Sequence, residues 1–163
     1  MIKKLSNIEE SEERKWYNIY LEKNYNGFSG RVLDIGKSAH WDYSGIFGDY
    51  KTIDVIPELK PDILANISDF YDIGHYDLIL CNGVYEQMVG DFNKLVKAVH
   101  RLLRMGGITI FGLIGKEYLQ YGGRDSGNRV KREEIDDILK KFTIIRRKYF
   151  DDRYYYLICQ KTE

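Results

Sequence analysis

Two acidic residues mark where this chain could do chemistry. Asp34 interrupts a short apolar run, Val32, Leu33 and Ile35, and Gly36 follows it. Such a run forms a buried parallel strand, and the glycine is where strand gives way to loop. A carboxylate there adds nothing to a core, so it must serve a loop amide or a bound ligand. Eighteen residues past Gly36, Asp54 lies towards the end of a second apolar segment, residues 50–56. A strand, a glycine turn and an acidic residue about twenty positions on is the pattern that grips a nucleotide and its ribose.

In open α/β sheets, ligands sit beyond the carboxyl ends of the strands. Asp34, Gly36, Lys37, Ser38, His40, Asp54, Asn66, Asn82 and Gly83 all fall at that edge. Asp54 is read as the ribose ligand and Asp34 as the organiser of the turn. Of the three histidines, His75 precedes the fourth strand and His100 lies beside a packed helix stripe, which leaves His40 at the ligand end. His40 is either a general base or a loop-structuring residue. Glu86, just past the fourth strand, either accepts a proton, holds a substrate or caps the next helix. Trp41, Tyr43, Tyr71, Tyr118 and Tyr121 lie in loops expected to face the same edge, where rings stack on a base or attract a cation. The glycine-rich stretch 115–130 reads as a lid, with Arg124 as an anchor for an anionic group or as surface charge. No Cys/His cluster has metal-ligand spacing, and no P-loop occurs.

These residues need elements to position them. Ser6 and Glu9 form a capping box that predicts a leading helix over 7–24, with Trp16, Ile19 and Tyr20 on its inner face. Apolar runs predict strands at 31–36, 50–56, 62–66 and 76–82. Only residues 37–49 link the first two, with room for a short helix at best. Phe92, Leu95, Val96, Val99, Leu102 and Leu103 make one helical stripe over 91–105, and Gly106-Gly107 reads as its C-cap. A fifth strand follows at 108–114, a helix at about 131–141, and a hairpin of strands near 142–150 and 153–161 turning at Asp151-Asp152. The alternation implies one α/β domain over 1–163, a leading helix at 1–27 ahead of the core at 28–163. Its form is a Rossmann-like, doubly wound, mainly parallel seven-stranded sheet with a C-terminal antiparallel hairpin.

Composition fits that picture. The chain has 163 residues, 44% of them hydrophobic and 31% charged, as in an ordinary globular domain. Lys plus Arg and Asp plus Glu are equal at 25 each, so no bulk charge attracts nucleic acid and no nucleic-acid partner is expected. Cys81 and Cys159 read as core thiols of a reducing compartment. No signal peptide or bilayer-spanning stretch is visible, so a cytoplasmic protein without a membrane partner is expected.

Residues 32–36 (Val-Leu-Asp-Ile-Gly), 53–55 (Ile-Asp-Val), Asn66-Ile67, 76–88 (Tyr-Asp-Leu-Ile-Leu-Cys-Asn-Gly-Val-Tyr-Glu-Gln-Met) and 102–110 (Leu-Leu-Arg-Met-Gly-Gly-Ile-Thr-Ile) occur in a fixed order. In that order and spacing they resemble the motifs of class I S-adenosylmethionine-dependent methyltransferases, nearest to the small-molecule group, over roughly residues 28–163. The resemblance implies S-adenosylmethionine as cofactor, held by Asp34, Gly36, Lys37, Ser38, Asp54, Val55, Asn66, Ile67, Asn82 and Gly83. It implies methyl transfer to a small molecule or glycan, at a hydroxyl, with Glu86, His40 or a lid tyrosine as the candidate base and Tyr118, Tyr121 and Arg124 on the substrate. Ser38 and His40 stand where the family usually has glycines, and Gln87 where it commonly has histidine. These departures keep open an alternative, a fold of this type that binds without catalysis.

Overall fold

The computed structural model describes residues 1–88, 91–118 and 125–163. Seven strands form one sheet: β1 (Phe28–Ile35), β2 (Phe47–Asp54), β3 (Ile63–Leu64), β4 (Tyr76–Asn82), β5 (Leu103–Ile114), β6 (Phe142–Phe150) and β7 (Tyr154–Lys161). Their order across the sheet is β3-β2-β1-β4-β5-β7-β6. The first five run parallel, and only β7 is antiparallel to its neighbours β5 and β6. The expected doubly wound sheet with a closing hairpin is therefore present.

Period-2 alternation along the central strands sends side chains to two cores. Leu33, Ile35, Ile79, Cys81, Phe111 and Leu157 pack under α2 (Phe92–Leu102), whose buried face is Phe92, Leu95, Val96, Val99 and Leu102. The short helix α3 (Ile135–Ile138) adds Ile135 to the same side. Val32, Leu78, Leu80, Ile110, Tyr156 and Ile158 face the other way, against Tyr17 and Leu21 of α1 (Glu12–Tyr25) and against Trp41, Tyr43 and Ile46.

That second face departs from expectation. The helix begins at Glu12, not at residue 7, and its cap is Ser11, whose Oγ accepts from the Arg14 amide at 3.2 Å. The Ser6–Glu9 capping box does not form because residues 1–6 are used elsewhere. Lys3 and Lys4 pair antiparallel with Asp42 and Trp41, and the Leu5 amide donates to the His40 carbonyl at 2.8 Å. This ribbon and a single 3-10 turn, Ser44–Ile46, take the place of a helix between β1 and β2. The inner face of α1 shifts accordingly to Tyr17 and Leu21, while Ile19 is 55% exposed. Trp16 and Tyr20 lie at the margin, stacked at 5.1 Å under the Arg146 guanidinium.

The glycine pair after α2 also behaves differently. The helix ends at Leu102 and β5 starts at once, so Gly106, at φ +76°, forms a bulge inside the strand and not a cap. Among the described residues no helix is long and apolar enough to cross a membrane.

The two readings of α1 predict opposite mutational patterns. Leu21→Ala should cost about 2–5 kcal/mol in urea unfolding, as buried leucine truncations do. Ile19→Ala should change stability by less than about 0.5 kcal/mol.

Candidate functional site

A cavity of about 890 Å³ opens at the carboxyl ends of β1, β2 and β4. Asp34, Gly36, Lys37, Ser38, His40, Asp54, Val55, Asn66, Ile67, Asn82, Gly83 and Tyr118 all line it. Sheet topology explains the convergence. β1 sits between β2 and β4, so the loops leaving these three strands meet at one edge.

Each residue holds its place for a local reason. Gly36 turns out of β1 at φ +81°, and a Cβ built there would lie 3.0 Å from Val84 Cγ2, so glycine suits both the backbone and the space. Gly83 leaves β4 at φ +71°. The Ser38 hydroxyl accepts from the His40 and Trp41 amides, both at 3.1 Å, which fixes the loop as a side-chain-closed turn without further glycines. Lys37 reaches across the rim and donates to the Lys60 carbonyl at 2.7 Å. Asp54 Oδ1 accepts from the Ile56 amide at 3.0 Å, and among the described residues no hydrogen bond engages its second oxygen. Asn66 caps the 3-10 turn Ile67–Asp69 through Oδ1, which accepts from Ser68 N at 2.9 Å. A carbonyl oxygen has two lone pairs, so one remains for another donor. Asn82 Oδ1 accepts from the Tyr154 hydroxyl at 2.6 Å, while its buried Nδ2 has no hydrogen-bond partner among the described residues. A buried, unmatched donor on a cavity wall is a place for a ligand acceptor.

Asp34 is buried on the α1 side of β1 and accepts from Tyr50 OH at 2.6 Å. Burial raises its carboxyl to about 7, against the opposing pull of the Tyr50 hydrogen bond and the Arg14 charge. A polar chain continues from Arg14 Nη1 to Tyr43 OH at 2.8 Å and from Tyr43 OH to Asn18 Oδ1 at 3.0 Å. Arg14, Tyr17 and Tyr43 form the wall beneath α1, joined on the far side by Gln87, Met88 and Tyr118. Arg14, Tyr17, Gln87 and Met88 were not among the sequence candidates. The signal for the first two was the thirteen-residue link 37–49, too short to cover β1, which required another element to supply that wall.

Glu86 departs from expectation. It is fully buried, it is not among the residues lining the cavity, and among the described residues neither carboxylate oxygen has a hydrogen-bond partner. Burial raises its carboxyl to about 7, with its own backbone amide and then Arg129 pulling the other way. His40 does reach the cavity wall, and its Nδ1 lies 2.8 Å from Ser6 Oγ. Tyr71 is 71% exposed and lies beside the Arg101 guanidinium, away from the cavity, and Trp41 is buried in the core under α1. Tyr121 and Arg124 lie outside the described residues.

No protein-family profile matches the sequence, and no curated protein matches it by sequence. Solved structures do match in fold. One is a 1,6-didemethyltoxoflavin N1-methyltransferase of Burkholderia thailandensis, crystallised with 1,6-didemethyltoxoflavin and S-adenosylhomocysteine. It is 17% identical, with TM-score 0.68 over 95% of this chain and 80% of that one. Another is the N-methyltransferase NodS of Bradyrhizobium japonicum with S-adenosylhomocysteine, 18% identical, TM-score 0.69, covering 93% and 88%. A SAM-dependent methyltransferase of Archaeoglobus fulgidus is 12% identical, TM-score 0.67, covering 91% and 94%. At these identities the likeness is one of fold. The chain has the class I S-adenosylmethionine-dependent methyltransferase fold.

The raised Glu86 carboxyl makes a stability prediction. Its folded pKa lies above the unfolded value, so the folded state binds more protons between the two, and stability falls as pH rises from about 4.5 to about 7. Glu86→Gln removes that loss. The variant should melt higher than the native protein at pH 8, by roughly 3 kcal/mol of stability, and the difference should vanish near pH 4.

Proposed function

We propose that this protein is an S-adenosylmethionine-dependent methyltransferase acting on a small-molecule or glycan acceptor. The observation that carries the reading is the cavity at the carboxyl edge, whose walls fit the cofactor's parts. Asp54 would hold the ribose hydroxyls through its second oxygen. Val55 and Ile67 would pack against the adenine ring, and the remaining lone pair of Asn66 Oδ1 would accept from the adenine amine. The unmatched Nδ2 of Asn82 supplies a donor on the same wall, and the two glycine turns allow close backbone approach. The volume lies within the range of ligand sites. When bound, the cofactor supplies an electrophilic methyl group on a sulfonium.

The chain's own task is then to place the acceptor nucleophile in line with that methyl and exclude water. The acceptor would occupy the end of the cavity walled by Arg14, Tyr17, Tyr43, His40, Gln87 and Tyr118. A hydroxyl acceptor needs a base, and of the sequence candidates His40 and the tyrosine Tyr118 line the cavity while Glu86 does not. The two named neighbours that act on nitrogen make an amine acceptor the alternative to a hydroxyl, and an amine lessens the need for a base. Equal numbers of acidic and basic residues favour a small acceptor over nucleic acid.

A second reading, a binding subunit without catalysis, draws on the 37–40 loop. There the Ser38 hydroxyl is already committed to two backbone amides, and His40 adds bulk where a glycine would leave room. Ligand binding separates both readings from a protein that does not use the cofactor at all. S-adenosylmethionine and S-adenosylhomocysteine should each raise the melting temperature, as any ligand specific to the native state must. NADH should not, and Asp54→Ala should abolish the rise. Absence of a shift with either sulfur ligand at millimolar concentration overturns the proposal. With a hydroxyl acceptor, His40→Gln should lower kcat by about 10²–10⁴-fold while preserving the cofactor-induced shift. Unchanged kcat removes His40 from the base role.

A further inference from the structure

Asn82 ends β4 with a carboxamide that is held at one arm and unmatched at the other. Its Oδ1 accepts from Tyr154 OH at 2.6 Å, while the buried Nδ2 has no hydrogen-bond partner among the described residues. The seat beneath it is built for that orientation. Asn82 pairs across the sheet with Gly112 of β5, and Gly112 pairs with Tyr156 of β7. A Cβ built on Gly112 would overlap Asn82 Oδ1 and lie 2.9 Å from Tyr156 Cε1, so the carboxamide fills the space a side chain there would need. Tyr154 and Tyr156 are themselves buried, with ring centroids 5.0 Å apart. Exchanging the two arms of the amide would set an N–H against the donating Tyr154 hydroxyl.

The sheet also fixes where this amide stands. Leu78 and Leu80 pack on the α1 face, and a period of two puts Asn82 on the same face as Tyr17 and Tyr43. β1 lies between β4 and the pair β2 and β3, whose ends carry Asp54 and lead to Asn66. The unmatched donor is therefore across β1 from the nucleoside residues, at the acceptor end of the cavity.

A donor at that end discriminates between nucleophiles. A hydroxyl oxygen has two lone pairs, one to attack and one to accept a hydrogen bond. A neutral amine has one, and a donor that takes it blocks attack. We propose that Asn82, oriented by Tyr154, selects a hydroxyl acceptor over an amine, its Nδ2 donating to the oxygen that receives the methyl group. This rests on the function proposed above and names the nucleophile of that same site. The oxygen gains the methyl carbon, the carbon–sulfur electron pair stays on sulfur, and the hydroxyl proton leaves to a base on the wall or to solvent.

Binding reads the amide's orientation without any acceptor. The probes are S-adenosylhomocysteine and sinefungin, an analogue with a protonated amine on carbon where S-adenosylmethionine carries its methyl on sulfur. Asn82→Asp puts an oxygen in place of Nδ2. It should lower the ratio of the sinefungin Kd to the S-adenosylhomocysteine Kd about tenfold or more in calorimetry, since a charge-assisted hydrogen bond replaces an N–H facing the amine. Tyr154→Phe lets Asn82 turn Oδ1 inward and should lower the ratio in the same direction. Combined with Asn82→Asp, Tyr154→Phe should lower it no further, because both arms are then oxygen. A purely structural role of Tyr154 would move both affinities together and leave the ratio alone. An unchanged ratio in either single variant overturns the proposal. So does equal weakening of both ligands by Asn82→Asp, which puts the amide on the part they share. A native protein that binds neither compound overturns the function proposed above as well, whereas binding of both with an unmoved ratio overturns the selection alone.

Discussion

Strand β1 must be buried on both faces, yet only residues 36–46 separate it from β2. That shortage of chain governs the rest of the structure. A full crossover helix does not fit, so the face of Val32, Leu78 and Leu80 is covered by α1 and by the Trp41–Ile46 segment. The N-terminal residues become structural as a result. They pair with Trp41-Asp42 and tether the loop that leaves β1. The same substitution of elements brings Arg14, Tyr17 and Tyr43 over the carboxyl edge, and the cavity extends beneath α1.

The loop that leaves β1 shows how this is done with little glycine. A turn that must approach a ligand closely is commonly built from residues free to adopt positive φ. Here only Gly36 does so, and Ser38 closes the remainder by accepting two amides. The ligand-facing backbone is therefore set by a side chain and by the N-terminal ribbon. Two buried carboxyls, Asp34 and Glu86, flank the cavity with raised pKa values, but they differ in kind. Asp34 is hydrogen-bonded by Tyr50 and lines the cavity. The Glu86 carboxylate oxygens have no hydrogen-bond partner among the described residues, and the side chain lies off the wall.

Much of this was legible in the sequence because it depends on local pattern. The apolar runs that became β1, β2 and β4 and the stripe of α2 are periodic signals, and periodicity survives folding when both faces or one face must be buried. Nine residues named from the strand ends line one cavity, because parallel topology alone brings those ends together. The failures are tertiary. The Ser6–Glu9 capping box was outcompeted by strand pairing with Trp41-Asp42, and Gly106-Gly107 became a bulge because β5 began at the end of α2. Arg14 and Tyr17 could not be assigned to the site without knowing what covers β1. Glu86 lies off the cavity wall, because a position just past a strand end does not fix which way a side chain points.

The central claim is that the cavity at the carboxyl edge of β1, β2 and β4 is a cofactor site. A crystal structure of the protein grown with S-adenosylhomocysteine tests it most directly. The account predicts the nucleoside in that cavity, its ribose hydroxyls on Asp54 and its adenine between Val55 and Ile67 with the amine on Asn66. Density for the ligand elsewhere, or an empty cavity at saturating concentration, would contradict it.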